Sequence, residues 1–134
     1  MKVRRLWALL ATLLVGSTVL FATNVYADAT LPEVAYSSDN AYLFGEHIDV
    51  QSPVSGDVLA FGSAIRVLAT VGGDALIAGN TLTFDAPVLG DVRAVASQIV
   101  VTQPITGEFA GVGGLIQLKE RAGAVRVAGG TVEL

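Results

Sequence analysis

The 134-residue chain contains no cysteine. That absence excludes a disulfide framework, a thiolate metal centre and lipid attachment through cysteine. Histidine and tryptophan occur once each, and only 15% of the residues are charged. Positive charge is the scarcer sign, with eight Lys and Arg against twelve Asp and Glu. Three of those eight (Lys2, Arg4 and Arg5) stand in the first five residues. From residue 28 onward, five basic residues face twelve acids, a net charge of −7. Such a balance argues against a nucleic-acid footprint and against electrostatic docking on anionic lipid. A small chain without covalent ties must be held together by burial and hydrogen bonding alone.

The one long apolar run is residues 6–21, directly behind the basic start. Val25-Tyr26-Ala27 then offers a small-residue cleavage site, so residues 1–27 read as a signal peptide. Sixteen uncharged residues fall short of the ~20 of a membrane span, with an uncleaved anchor as the alternative. The chain is therefore expected to be exported, to the periplasm, cell surface or exterior of a bacterium. Residues 28–38 read as a spacer or loose cover, and residues 39–134 as one repeat domain.

Repetition is the strongest signal in that domain. From Gly45 a step of 17 reaches Gly62, Gly79, Ala96 and Gly113, and a step of 16 then reaches Gly129. Gly56, Gly73, Gly90, Gly107 and Gly123 form a second series, also shortened by one at its end. An acid follows each of the first four: Asp57, Asp74, Asp91 and Glu108. Apolar columns keep the same step: Ile48, Ile65, Leu82, Ile99, Ile116, Val132, and Val50, Val67, Phe84, Val101, Leu118, Leu134. A third column runs Val54, Val71, Val88, Ile105, Ala122. Within each unit, polar and apolar residues alternate with period two, the mark of short half-buried strands. Short strands at one fixed step, without helices between them, predict an all-β chain coiled into a β-helix, or β-solenoid, of about five to six coils. Each coil would stack on the last at ~4.8 Å, and stability would be cooperative along the stack.

The glycines are expected at corners, where positive φ suits Gly. Pro53, Pro87 and Pro104 share one column, which is expected to be a corner outside the hydrogen-bonded ladder. His47 shares a column with Ala64, Thr81 and Gln98 and is expected to face solvent. Tyr42 and Phe44 are expected to begin the first coil as core. For the acid column there are two readings. One is a turn in which Asp accepts hydrogen bonds from nearby backbone N–H groups. The other is a calcium ladder of Asp57, Asp74, Asp91 and Glu108, for which one carboxylate per coil is a thin ligand supply. The turn is preferred, with Arg93 and Arg126, two positions beyond the column, available for charge pairing.

The phrases Gly56-Asp57-Val58-Leu59-Ala60-Phe61-Gly62, Gly73-Asp74-Ala75-Leu76-Ile77-Ala78-Gly79 and Gly90-Asp91-Val92-Arg93-Ala94 resemble the bactofilin family of polymer-forming cytoskeletal proteins. So does the closing Val125-Arg126-Val127-Ala128-Gly129-Gly130-Thr131-Val132. The resemblance covers roughly residues 40–134. It implies a single-stranded, right-handed parallel β-helix with a triangular apolar core. It also implies nucleotide-free, end-to-end assembly into filaments and a scaffolding role in the bacterial envelope. Family members of known role act on the cytoplasmic side, so the leader would make this an exported form. The family carries no catalytic residues.

Function then divides three ways. A self-associating envelope protein would use its end coils, with Tyr42, Phe44, Ile48 and Val50 at one edge and Val127, Val132 and Leu134 at the other. The last ladder position, Leu134, is expected to lie on an open edge or to precede further coils. The alternative is an exported adhesin-like or surface-binding module, which needs an outward face rich in aromatics or in repeated polar residues. The outward column Arg66, Thr83, Val100, Gln117, Glu133 is mixed, so this ranks second. Catalysis ranks last, because uniform 17-residue coils leave no insertion in which to gather a cleft. The expected partner is the chain itself, with membrane or cell-wall association left open. No cofactor and no small-molecule substrate are expected.

Overall fold

The computed structural model describes residues 33–37 and 39–134. The expected signal peptide lies outside the described residues, as does all of the expected spacer except its final strand. Seven strands form one sheet in chain order. β1 (Glu33–Ser37) pairs antiparallel with β2 (Asn40–Val50). From β2 onward every pairing is parallel, through β3 (Val58–Val67), β4 (Ala75–Phe84), β5 (Val92–Val101), β6 (Ile105–Leu118) and β7 (Ala122–Glu133). The described residues contain no helix. Partners stand 17 positions apart from β2 to β6, as Ile48↔Ile65, Ile65↔Leu82 and Leu82↔Ile99. The chain is thus a β-solenoid of about five turns. Its six successive coils follow the strands, from β2 as coil 1 to β7 as coil 6.

Each coil turns three short segments inward. The 48 and 50 positions form one, and the 54 position forms a second through the bridges Val54↔Val71↔Val88↔Ile105. The third consists of the 41 and 43 positions, whose residue types change from coil to coil. Their sizes compensate within each coil: Ala41 with Leu43, Val58 with Ala60, Ala75 with Ile77, Val92 with Ala94, and Phe109 with Gly111. A Cβ on Gly111 would press on the Phe109 ring at 2.8 Å. In coils 1 to 5 a larger residue at one position thereby stands beside a smaller one at the other, which keeps the shared space filled. No polar or charged side chain is buried among the described residues.

The proline column sits at a corner, as expected, but it is not wholly outside the ladder. The carbonyls of Pro87 and Pro104 accept from Val71 N–H and Val88 N–H at 3.1 and 3.2 Å. Only the carbonyl is used there, so a residue without an N–H loses nothing.

The shortened step has a definite place. Ile105 pairs with Ala122, but Glu108 pairs with Ala124, so Thr106 and Gly107 stand opposite Gly123 alone. The irregularity falls at a corner, and the columns on either side of it stay continuous.

Size compensation makes a testable distinction. Ile77→Ala should cost about 2 to 5 kcal/mol of unfolding free energy by opening a void in coil 3. Adding Ala75→Val recreates the Val/Ala pair of coils 2 and 4. Urea titration should show the double variant recovering at least ~1 kcal/mol of the loss.

Candidate functional site

Three surfaces emerge from the columns: the acid ladder, the two ends, and one outward face.

In the acid ladder, Asn40 Oδ1 accepts from the Asp57 amide at 2.8 Å. Asp57, Asp74 and Asp91 repeat the contact upward, each Oδ1 accepting the amide one coil on, of Asp74, Asp91 and Glu108, at 2.8 Å. The acids therefore do accept backbone N–H groups, but from the next coil rather than within their own turn. The preceding glycine makes this possible. A Cβ on Gly73 would collide with Asp57 Oδ1, and Gly90 and Gly107 stand in the same relation to Asp74 and Asp91. This corrects the expected role of the glycines. At Gly56, Gly73, Gly90, Gly107 and Gly123 the backbone does not take the left-handed conformation, and close approach is the reason for glycine. Gly45, Gly62, Gly79, Gly113 and Gly129 lie within strands, and a Cβ on Gly62 would strike the Gly45 carbonyl directly below.

The amide series ends where the step shortens. Glu108 is longer than Asp, and its Oε1 accepts from Arg126 Nε at 3.0 Å. Among the described residues no group of three or more His, Asp and Glu is arranged to hold a metal ion. His47 is exposed. One column further round, Arg66 makes a two-pronged contact with Asp49, at 2.9 and 2.7 Å. The Arg66 hydrogen bonds hold the Asp49 carboxyl below the usual carboxylate range.

The two ends differ. At coil 1 Ile48 and Val50 are buried, and β1 occupies the backbone edge of residues 40–44. Ala35 pairs with Tyr42 and Glu33 with Phe44. At coil 6 the inward columns are uncovered. Val125, Val132 and Leu134 are 39%, 37% and 78% exposed, although the residues below Val132 and Leu134 (Ile116 and Leu118) are buried. Val127 is partly buried against the core. β7 has a strand partner on one side only among the described residues.

The outward face departs from the sequence expectation. Phe44 is exposed rather than core, because the in–out alternation that buries Ala41 and Leu43 turns Tyr42 and Phe44 outward. Its ring stacks on that of Phe61 one coil above, with centroids 5.8 Å apart and planes at 14°. Leu76, Val95 and Val112 continue the exposed apolar surface. This is the kind of face that the surface-binding alternative requires. Its sequence signal is present in the register: 44, 61, 78, 95 and 112 are all apolar.

No family model matches the chain, and neither a curated protein nor a solved structure matches it.

Two measurements test these contacts. Asp74→Ala should cost about 1 kcal/mol, since the Asp91 amide loses its acceptor, while Asp74→Asn should cost less, Asn40 already serving that way. In the Asp74→Ala background the penalty of Gly90→Ala should fall, a coupling that a double-mutant cycle by urea unfolding reads directly. Asp49, with its lowered value, contributes stability above the ordinary aspartate range and loses it as pH falls through the lowered value. The stability difference between the native chain and Arg66→Ala should therefore shrink between about pH 5 and about pH 2.

Proposed function

We propose that this chain is a non-enzymatic structural protein of the bacterial cell envelope, exported, and self-associating end to end through its β-helix edge. The observation that carries this is coil 6. Among the described residues β7 has a strand neighbour on one side only, and it presents Val125, Val132 and Leu134, which occupy columns that are closed in the coils below. An edge of that kind is a template for another strand. The stack is built by repeating one coil at one register, so a coil from a second copy can continue both its hydrogen bonds and its apolar columns.

Coil 1 is a poorer contact surface. β1 runs antiparallel there, and an antiparallel neighbour spaces its hydrogen bonds differently from the parallel ladder. The contact between copies therefore centres on β7. A scaffold of this sort is what the bactofilin-like phrases imply, and those phrases map onto the Gly-Asp ladder and the strands that follow it. The acid column serves in the ladder and not in catalysis.

Sedimentation and negative-stain microscopy of the full chain, in calcium and in chelator, test the proposal. A pair of copies joined through β7 is expected in both conditions. Val132→Lys combined with Leu134→Lys should abolish it while leaving the strand circular dichroism unchanged. A folded native chain that stays monomeric overturns end-to-end association. Assembly that needs calcium overturns it as a purely strand-and-core contact and assigns the acid column to metal.

A further inference from the structure

The outward face is uneven along the solenoid axis. On coils 1 to 3 its two columns carry Tyr42, Leu59, Leu76 and Phe44, Phe61, Ala78. On coils 4 to 6 they carry Arg93, Ala110, Arg126 and Val95, Val112, Ala128. The first half is a ridge, stiffened by the Phe44–Phe61 stack. The second half is a trough, a depression of about 390 Å³ floored by Val95, Ala110, Val112 and Ala128, with Arg93 and Arg126 beside it. The acid column runs past both halves, through Asp57 and Asp74 and on to Asp91 and Glu108, but on this face arginine occurs only in the second, where Arg126 pairs with Glu108. Asp57 and Asp74 border the ridge next to Tyr42 and Leu76, while the two arginines are at the trough.

We propose that this face docks on the same face of a second copy, with the two solenoid axes antiparallel. The two-fold axis runs along the strand direction, so each column lies opposite itself with the coil order reversed. Coil 2 then faces coil 5, and coil 3 faces coil 4. Phe61 is set against Val112 of the second copy, and Phe44 against its Ala128. Large residues meet small ones, and each copy's ridge enters the other's trough. Arg93 meets Leu76 of the second copy with Asp74 alongside, and Arg126 meets its Tyr42, a favourable cation–aromatic pair. Among the described residues Arg93 has no ion pair of its own, so the contact gives it one. Parallel packing about an axis along the solenoid sets coil against like coil. It therefore places ridge on ridge and trough on trough, which shape opposes.

A lipid surface fits less well. The ridge is bordered by carboxylates, which an anionic bilayer repels, and a flat membrane leaves the trough unfilled. The area also bears on the strength of the contact. Six coils at ~4.8 Å by about five residues at ~3.3 Å give a footprint of roughly 500 Å² per copy. That lies below the ~800 Å² per partner of a standard stable interface, so the pair is a weak one, strengthened wherever several copies are aligned. It does not require the end contact at β7.

The absence of cysteine makes the geometry directly testable, because an introduced thiol is the only one in the chain. Phe61→Cys and Val112→Cys are made separately in the full chain, both at exposed positions. Each is oxidised alone and as an equimolar mixture. The mixture should form a covalent dimer at least about tenfold faster than either variant alone, since like positions are about three coils apart, beyond disulfide reach. Adding Arg93→Glu to both variants should lower the yield severalfold. Cross-linking of Phe61→Cys with itself as readily as in the mixture overturns the antiparallel arrangement. No cross-link in the mixture, with strand circular dichroism intact, overturns the docking. A polarity-sensitive dye on the thiol of the Phe61→Cys variant that turns apolar only with phosphatidylcholine vesicles assigns the face to lipid and likewise overturns it.

Discussion

A carboxylate that reaches up to the backbone amide one coil above is the contact on which the stack depends. Asp57, Asp74 and Asp91 each make it at 2.8 Å. The acceptor atom and the carbonyl of the glycine one coil below both stand where a Cβ would otherwise be, so the residue before each recipient is glycine. Donor, acceptor and vacancy therefore come as a dipeptide repeated every 17 positions. A slip of one residue would face the carboxylate with a Cβ and turn each inward side chain outward. The register that aligns the core, the ends and the outer face is specified three times over, at the cost of three acids, two exposed and one half-buried.

Much of this is legible in the sequence, and the parts that are not have physical reasons. The Ile48 and Val54 columns can be read because one type of aliphatic residue recurs. The 41 and 43 columns are hidden because their sizes trade off within a coil, Val58 with Ala60 and then Ala75 with Ile77. Neither column looks uniform, because a large residue in one is set beside a small residue in the other. The acid column reads correctly as an amide acceptor, but the spacing does not say whose amide it takes. The residue 17 positions on is itself the next acid, so a local turn and a contact between coils leave the same pattern. Phe44 reads as core because an aromatic at the start of a coil suggests burial, whereas strand alternation from Leu43 sends it out. The glycine columns stand out plainly, yet their cause is space rather than torsional freedom, and only the neighbouring coil reveals it.

The two ends and the outer face show how a repetitive chain acquires distinct surfaces. Identical coils would give a rod with equivalent ends and uniform sides. Here β1 breaks the equivalence at one end by running antiparallel, and the apolar columns stand open at the other. The sides are differentiated by residue size alone. The same backbone carries phenylalanine on two coils and alanine or valine on the others, and this produces a ridge and a trough without any loop. The single lost residue opposite Gly107 falls at a corner outside the outward face, which is where a solenoid can accept it.

The nearly constant 17-residue separation also governs how the chain folds. Every parallel ladder contact joins positions 16 or 17 apart in sequence, so no pairing must wait for a distant segment to arrive. Any coil pair can serve as a nucleus, and growth proceeds like a zipper in both directions. Local opening then begins at the outermost coils and moves inward. Amides around Leu82 and its neighbours in the ladder, Ile65 and Ile99, should be the last to exchange with solvent.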